Sequence, residues 1–256
     1  MLLFGVLNIL FQEFNFKIKN IKQNIKNKIL RKYIMFDLTG CNITDEKFIS
    51  LKSYLFSTQY QIEKSGNHPL WKVVNKYDIK MNNCYISSSN VHGLGVFSNR
   101  DMNAGDIITI YPADIAVEVV DPQSNQFNVL ISKELYNLKF SEIGFTKENL
   151  IESCSDFFRS YLVQLTETIN ISATPELHND VTYIGHMIND GTNIIPIDEN
   201  TSEEYDTMSE SKQNCYFKYY NNLLFVVAKK SISKDEELFV MYCSKYWLSD
   251  RNKPIE

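Results

Sequence analysis

Three short runs place chemically useful residue types close together. Val91-His92-Gly93-Leu94-Gly95-Val96 sets two glycines on either side of one leucine. Without Cβ atoms, Gly93 and Gly95 let the backbone bend sharply and approach a ligand, so that its amide and carbonyl groups can grip one. Gly185-His186-Met187-Ile188-Asn189-Asp190 gathers an imidazole, an amide and a carboxylate, and Glu237-Leu238-Phe239-Val240-Met241-Tyr242 ends in a phenol. The imidazole suits a metal site poorly. His68, His92, His178 and His186 lack zinc-type spacing, and Cys41, Cys84, Cys154, Cys215 and Cys243 contain no Cys-x-x-Cys pair. No metal is expected, and the cysteines read as reduced thiols of an intracellular protein, nuclear or cytoplasmic.

The order of the runs adds weight to each. The first continues through Asp101, Ala104, Gly105, Asp106 and Ile107 to Tyr111, and the other two follow it. From roughly Tyr85 to Leu248 the chain resembles a SET-domain protein lysine methyltransferase. The resemblance implies an α+β fold class: a β-rich SET domain of small twisted sheets with a knot-like C-terminal threading, beside an N-terminal helical accessory region. It implies S-adenosylmethionine as cofactor, bound at Gly93, Leu94, Gly95, His186 and Asn214, the last within an Asn-x-x-Phe-like segment, Asn214-Cys215-Tyr216-Phe217. Tyr111 falls near the cofactor by the same likeness, although a tyrosine closing a strand suits a core equally. Gly185 stands where the family usually has Asn, and Asn189 can replace part of the lost contact. Trp247 either covers the adenine or packs in the core.

The implied reaction is methyl transfer from a sulfonium to a lysine amine, an in-line displacement that needs a neutral nucleophile. A free lysine has a pKa of about 10.4, and a narrow aromatic channel disfavours its ammonium form while aligning the amine. Tyr242 is implied to fix the amine and polarise the methyl, and Tyr183 to help wall the channel. Met241 and Cys243 occupy places where the family often has Asp and Gly, and Val240 one where an aromatic ring commonly tunes how many methyls are added. These departures keep a second reading open, a non-catalytic SET-like module that holds peptides or partners. The implied partner is a lysine-containing protein, a histone tail among the candidates.

The surrounding elements must position these residues. With 256 residues, 44% of them hydrophobic and 22% charged, the chain can bury a substantial core. A net charge of -5 argues against direct nucleic-acid binding and suits a basic substrate. Residues 1–82 read as a mainly helical accessory region and 83–256 as the SET-like domain. Met1 to Phe16 reads as a buried helix, too short to span a membrane. Lys17 to Lys32 reads as a basic amphipathic helix with Ile18, Ile21, Ile25 and Ile29 at helical spacing, for packing or else for nuclear targeting, an acidic partner or a membrane surface. Asp45 to Phe56 reads as a helix, and Ser65 to Pro69 as a turn. Short β segments begin at Tyr85. A helical insert is expected near 121–165, with a helix from Lys147 to Phe158 and strand-like alternation at Tyr161, Val163 and Leu165. The acidic stretch near 191–213 reads as an exposed loop, either a solvated linker or a docking surface for a lysine-rich substrate. Oligomeric state leaves no trace in the sequence.

Overall fold

The computed structural model describes residues 36–64, 77–121, 126–132, 135, 161–193, 196, 198–221 and 223–248. The features expected over 1–16, 17–32, 65–69 and 147–158 lie outside these residues. Along the chain come β1 (Phe36–Asp37), α1 (Glu46–Lys64), β2 (Ile79–Lys80), β3 (Cys84–Ser88) and β4 (Leu94–Ser98). Then follow β5 (Ile107–Tyr111), β6 (Ile115–Asp121), β7 (Gln126–Ile131), β8 (Leu162–Gln164) and β9 (Ile169–Ser172). Two 3-10 turns, Val181–Tyr183 and Gly185–Met187, lead to β10 (Asn189–Asp190), α2 (Glu199–Lys212), β11 (Cys215–Tyr220), β12 (Leu223–Ala228), β13 (Phe239–Val240) and α3 (Ser244–Leu248).

The strands form several small sheets, as expected of the β-rich fold class. Two are larger, with strand orders β11-β12-β5 and β7-β6-β9-β8, while β3 and β4 make a hairpin and β10 pairs with β13 in parallel. The interior is organised by β12, every residue of which is buried. Its side chains alternate between the two faces, as strand geometry dictates. Leu223, Phe225 and Val227 pack with Phe48, Leu51 and Leu55 of α1, whereas Val226 and Ala228 pack with Ile184, Ile188 and Val240. A strand covered on both sides needs a continuous apolar run, which is why its period-2 signal in the sequence is blurred.

On α1 the buried positions 48, 51 and 55 recur at three- and four-residue intervals, the stripe an amphipathic helix presents to a core. Leu38 and Cys41 join them. Asn82, the expected domain boundary, is followed at once by Asn83, whose buried side chain links both sides. Its amide donates to Ile107 O at 2.9 Å, and its oxygen accepts from Gly40 N at 2.9 Å and Arg100 Nε at 3.1 Å. Residues 36–55 and the strands of the second half therefore share one core.

Two stretches differ from expectation. Within the span read as a helical insert, β7 pairs antiparallel with β6, because Val129 and Ile131 alternate with Leu130 between two apolar clusters. The acidic stretch is not a loop over most of its length but the helix α2. Asp198 accepts from Thr201 N at 2.9 Å while its own amide donates to Thr201 Oγ1 at 3.3 Å, a reciprocal cap that its charge run hid. Among the described residues no helix is long and apolar enough to cross a membrane.

Candidate active site

A cavity of about 990 Å³ opens where the β3–β4 loop, the Gly185–Met187 turn, β8 and the segment after β13 meet. The loop is shaped by a residue the sequence reading passed over. Ser89 Oγ accepts from Val91 N at 2.9 Å and His92 N at 3.3 Å, and Ser89 N donates to Gly93 O at 2.9 Å. Such a hydroxyl-capped turn is a recognisable local signal. It leaves Gly93 at φ +50° with open space where a Cβ would be, and His92, Gly93 and Leu94 on the cavity wall.

Gly95 has a different task from the one expected. It sits in β4 opposite Ser87, off the cavity wall, and a Cβ there would fall on the Glu237 carboxylate. Its missing side chain makes room for Glu237 instead of a ligand. Asn189 joins these parts, its Nδ2 donating to His92 O at 3.1 Å, Leu94 O at 3.0 Å and Glu237 Oε1 at 3.3 Å. Three acceptors thus face an amide that carries two protons. The bend is rich in acceptors, which favours a positively charged neighbour.

His186 and Tyr111 do meet at the cavity. The buried imidazole lies between the edges of Tyr111 and Tyr161, with ring centroids at 6.2 and 5.9 Å. Tyr111 Oη donates to Tyr161 O at 2.7 Å, so this residue serves both core and wall. Gly185 is explained by crowding. A Cβ there would stand 2.9 Å from Tyr111 N and 3.1 Å from Ile110 C, both backbone atoms, which leaves no space for the asparagine usual in the family.

Two expected site residues belong to the interior. Tyr183 is buried on the α1 side of β12, where its hydroxyl donates to Tyr77 O and accepts from Tyr77 N, each at 3.1 Å. It is absent from the cavity wall. Asn214 staples the last strand: its Nδ2 donates to Glu237 O at 2.8 Å and Glu236 Oε1 at 3.2 Å, and its Oδ1 accepts from Phe239 N at 2.8 Å. Every polar atom of that side chain is occupied by the fold. Val240, buried beside Asp190 in the β10–β13 pair, is also off the wall.

Tyr242 lines the cavity and is held at both ends. Its amide donates to Asp190 Oδ2 at 2.9 Å and its hydroxyl donates to Ile188 O at 2.8 Å. Burial, reinforced by Tyr246 and Asp190, pushes its phenol well above the ordinary value, so the group stays neutral. Tyr246 packs edge-on at 5.0 Å and Trp247 stacks at 6.0 Å, giving the wall three electron-rich rings. Between them Cys243 is exposed at φ +65°, a conformation suited to the glycine that the family often has there. Among the described residues no cluster of side chains could hold a metal ion.

The arrangement can enclose a cationic ligand between an acceptor-rich bend and an aromatic wall, with one fixed neutral phenol between them. A comparison with curated proteins finds no match. Among solved structures the chain is similar to a Plasmodium falciparum protein provisionally described as a histone methyltransferase, at 17% identity over 65% of this chain and 97% of that one, with a TM-score of 0.31. The profile of the SET domain matches residues 93–243, from the glycine bend to the residue after Tyr242, which is more than half of the chain. The chain belongs to the SET domain family.

Proposed function

We propose that this protein transfers a methyl group from S-adenosylmethionine to a lysine side chain of a protein substrate. The observation that carries this reading is Tyr242, a neutral phenol fixed at both ends in the wall of an aromatic cavity. The residues present fit the cofactor. The open space at Gly93 and the acceptors around Asn189 suit its amino-acid end, and Tyr246 and Trp247 suit a flat ring and a positive sulfur. When bound, S-adenosylmethionine supplies an electron-poor methyl group.

The protein's own residues do the rest. With its proton committed to Ile188 O, the Tyr242 oxygen has a lone pair left for the amine or for the polarised methyl. Its neutrality means that it orients and does not act as a base. Asp190, also on the wall, is engaged by several donors and is spent on structure. Removal of the amine proton therefore rests on the desolvating aromatic wall and on solvent. Incubation of the purified protein with labelled cofactor and a panel of histones and lysate proteins tests the reading. Label should reach lysine in at least one protein; absence of transfer with intact cofactor binding favours the module that only holds peptides.

Thiol chemistry gives an independent check on the cavity. Cys243 is exposed on its wall, whereas burial pushes the Cys84 thiol up to about 12 and raises Cys41 and Cys215 as well. In a Cys154→Ser background, iodoacetamide near neutral pH should modify Cys243 at least about tenfold faster than the other three. Saturating S-adenosylhomocysteine should slow that labelling. Equal rates with and without it would remove Cys243 from the cofactor's surroundings.

Substrate capture is assigned to the exposed acids of α2, Glu203, Glu204 and Glu210. Like charges along one helix attract a lysine-rich segment over about a Debye length, roughly 8 Å at physiological salt. Changing all three to glutamine should raise the substrate KM several-fold at low salt, leave kcat unaltered and flatten the salt dependence. A KM that does not move at low salt returns this face to solvent.

A further inference from the structure

Nothing in the chemistry of methyl transfer calls for α2, yet the helix holds the residues that would perform it. Most of its positions face water, but Tyr205 and Ser209, one turn apart, are fully buried. Both side chains end on the same carboxylate. Tyr205 Oη donates to Asp190 Oδ2, and Ser209 Oγ donates to Asp190 Oδ1 at 2.8 Å. Thr192 N donates to Asp190 Oδ1 at 3.2 Å, and the remaining partner is the amide of Tyr242 at 2.9 Å.

The next residue of the helix grips the chain just beyond. Asp206 accepts from Ser244 N and from Ser244 Oγ, each at 2.9 Å, and so caps the five-residue α3 that carries Tyr246 and Trp247. The Tyr205 ring meets the Trp247 indole edge-on at 6.4 Å. One turn of α2 therefore contacts Ser244 and Trp247 directly and reaches the Tyr242 amide through Asp190. These residues bracket Cys243, whose left-handed backbone a cysteine does not favour. A segment with such a bend needs external restraint to keep one geometry.

We propose that Tyr205, Ser209 and Asp206 are positioning residues, and that α2 acts as a brace that sets the tilt of Tyr242 and the closure of the aromatic wall. The inference rests on the methyltransfer reading for its catalytic consequence, but not for its mechanical one. Tyr205 and Ser209 orient Asp190, Asp190 fixes the Tyr242 amide, and the hydroxyl thereby stays on Ile188 O. A displacement of about 1 Å at such a group can cost roughly a hundredfold in rate.

The test pairs Tyr205→Phe/Ser209→Ala with Tyr242→Phe in a double-mutant cycle, and adds hydrogen exchange. In the unsubstituted background the α2 pair should lower kcat at least tenfold with KM for the cofactor changed less than threefold. In the Tyr242→Phe background the same pair should cost less than threefold, since the oxygen it positions is gone. Equal losses in both backgrounds would mean general destabilisation and would overturn the proposal. Amide exchange over 240–248 should speed at least tenfold in the α2 pair while β5 and β12 keep their protection. If the unsubstituted protein transfers no methyl, the catalytic reading falls by itself, and exchange still decides: unchanged protection over 240–248 refutes the brace. Should the pair fail to fold, Asp206→Asn, which loosens only the Ser244 cap, must show the same local exchange or the proposal is lost.

Discussion

Phenylalanine at position 242 will lower kcat by about a hundredfold, the usual consequence of removing one preorganised dipole from a reacting centre. The substitution deletes one oxygen and almost no volume, so cofactor affinity by calorimetry should stay within about threefold. Stability should fall by about 1 kcal/mol, the typical value of one buried hydrogen bond, here the bond to Ile188 O. The loss belongs to kcat because the oxygen acts mainly on the transition state. Burial holds the Tyr242 phenol above its ordinary value, so its protonated form persists as pH rises. The rate–pH profile should therefore climb as the substrate amine loses its proton, with no falling limb from this group up to about pH 10. Normal turnover by Tyr242→Phe, with only a lower melting temperature, would make Tyr242 a packing residue.

Asparagine at position 185 will damage the protein, although it restores the residue usual in the family. The backbone of β5 stands 2.9 Å from where its Cβ would be, and Val226 Cγ2 stands at 3.0 Å. A backbone cannot swing aside as the end of a side chain can. Overpacking of this kind costs about 1–3 kcal/mol, which for a chain of this size lowers the melting temperature by roughly 3–10 °C. Cofactor binding should weaken too, since Tyr111 ends the displaced strand and His186, next to position 185, packs on its ring at the cavity wall. Differential scanning calorimetry and titration on the one variant check both effects. An unchanged melting temperature with tighter cofactor binding would show that the turn has room to move.

The sequence disclosed which runs converge but not always which way each residue faces. Gly93, Leu94, His186, Asn189 and Tyr242 meet at one cavity, each from one of the three distinctive runs, and Trp247 joins them from α3. Gly93 and Gly95 separate because one sits in a turn at positive φ and the other in a paired strand, a difference of backbone state that composition does not encode. Tyr183 and Asn214 illustrate the same limit. A tyrosine two residues before Gly185 can face either side of β5, and only the packing of α1, with Tyr77 at hand, draws it inward. In α2 the acids masked the spacing of Tyr205 and Ser209, which is the helical period of a buried face.

The shared core sets a limit on how this protein can be divided. Family likeness begins at residue 93, yet one face of β12 and β5 is covered by Phe48, Leu51 and Leu55, far upstream. Cut at the borders of likeness, the chain would present Ile107, Ile110, Leu223, Phe225 and Val227 to water as one contiguous apolar face. Faces of that kind drive self-association. The unit of ancestry is thus smaller than the unit of solubility, and the piece that carries the recognisable motifs is not the piece that can be handled in a test tube.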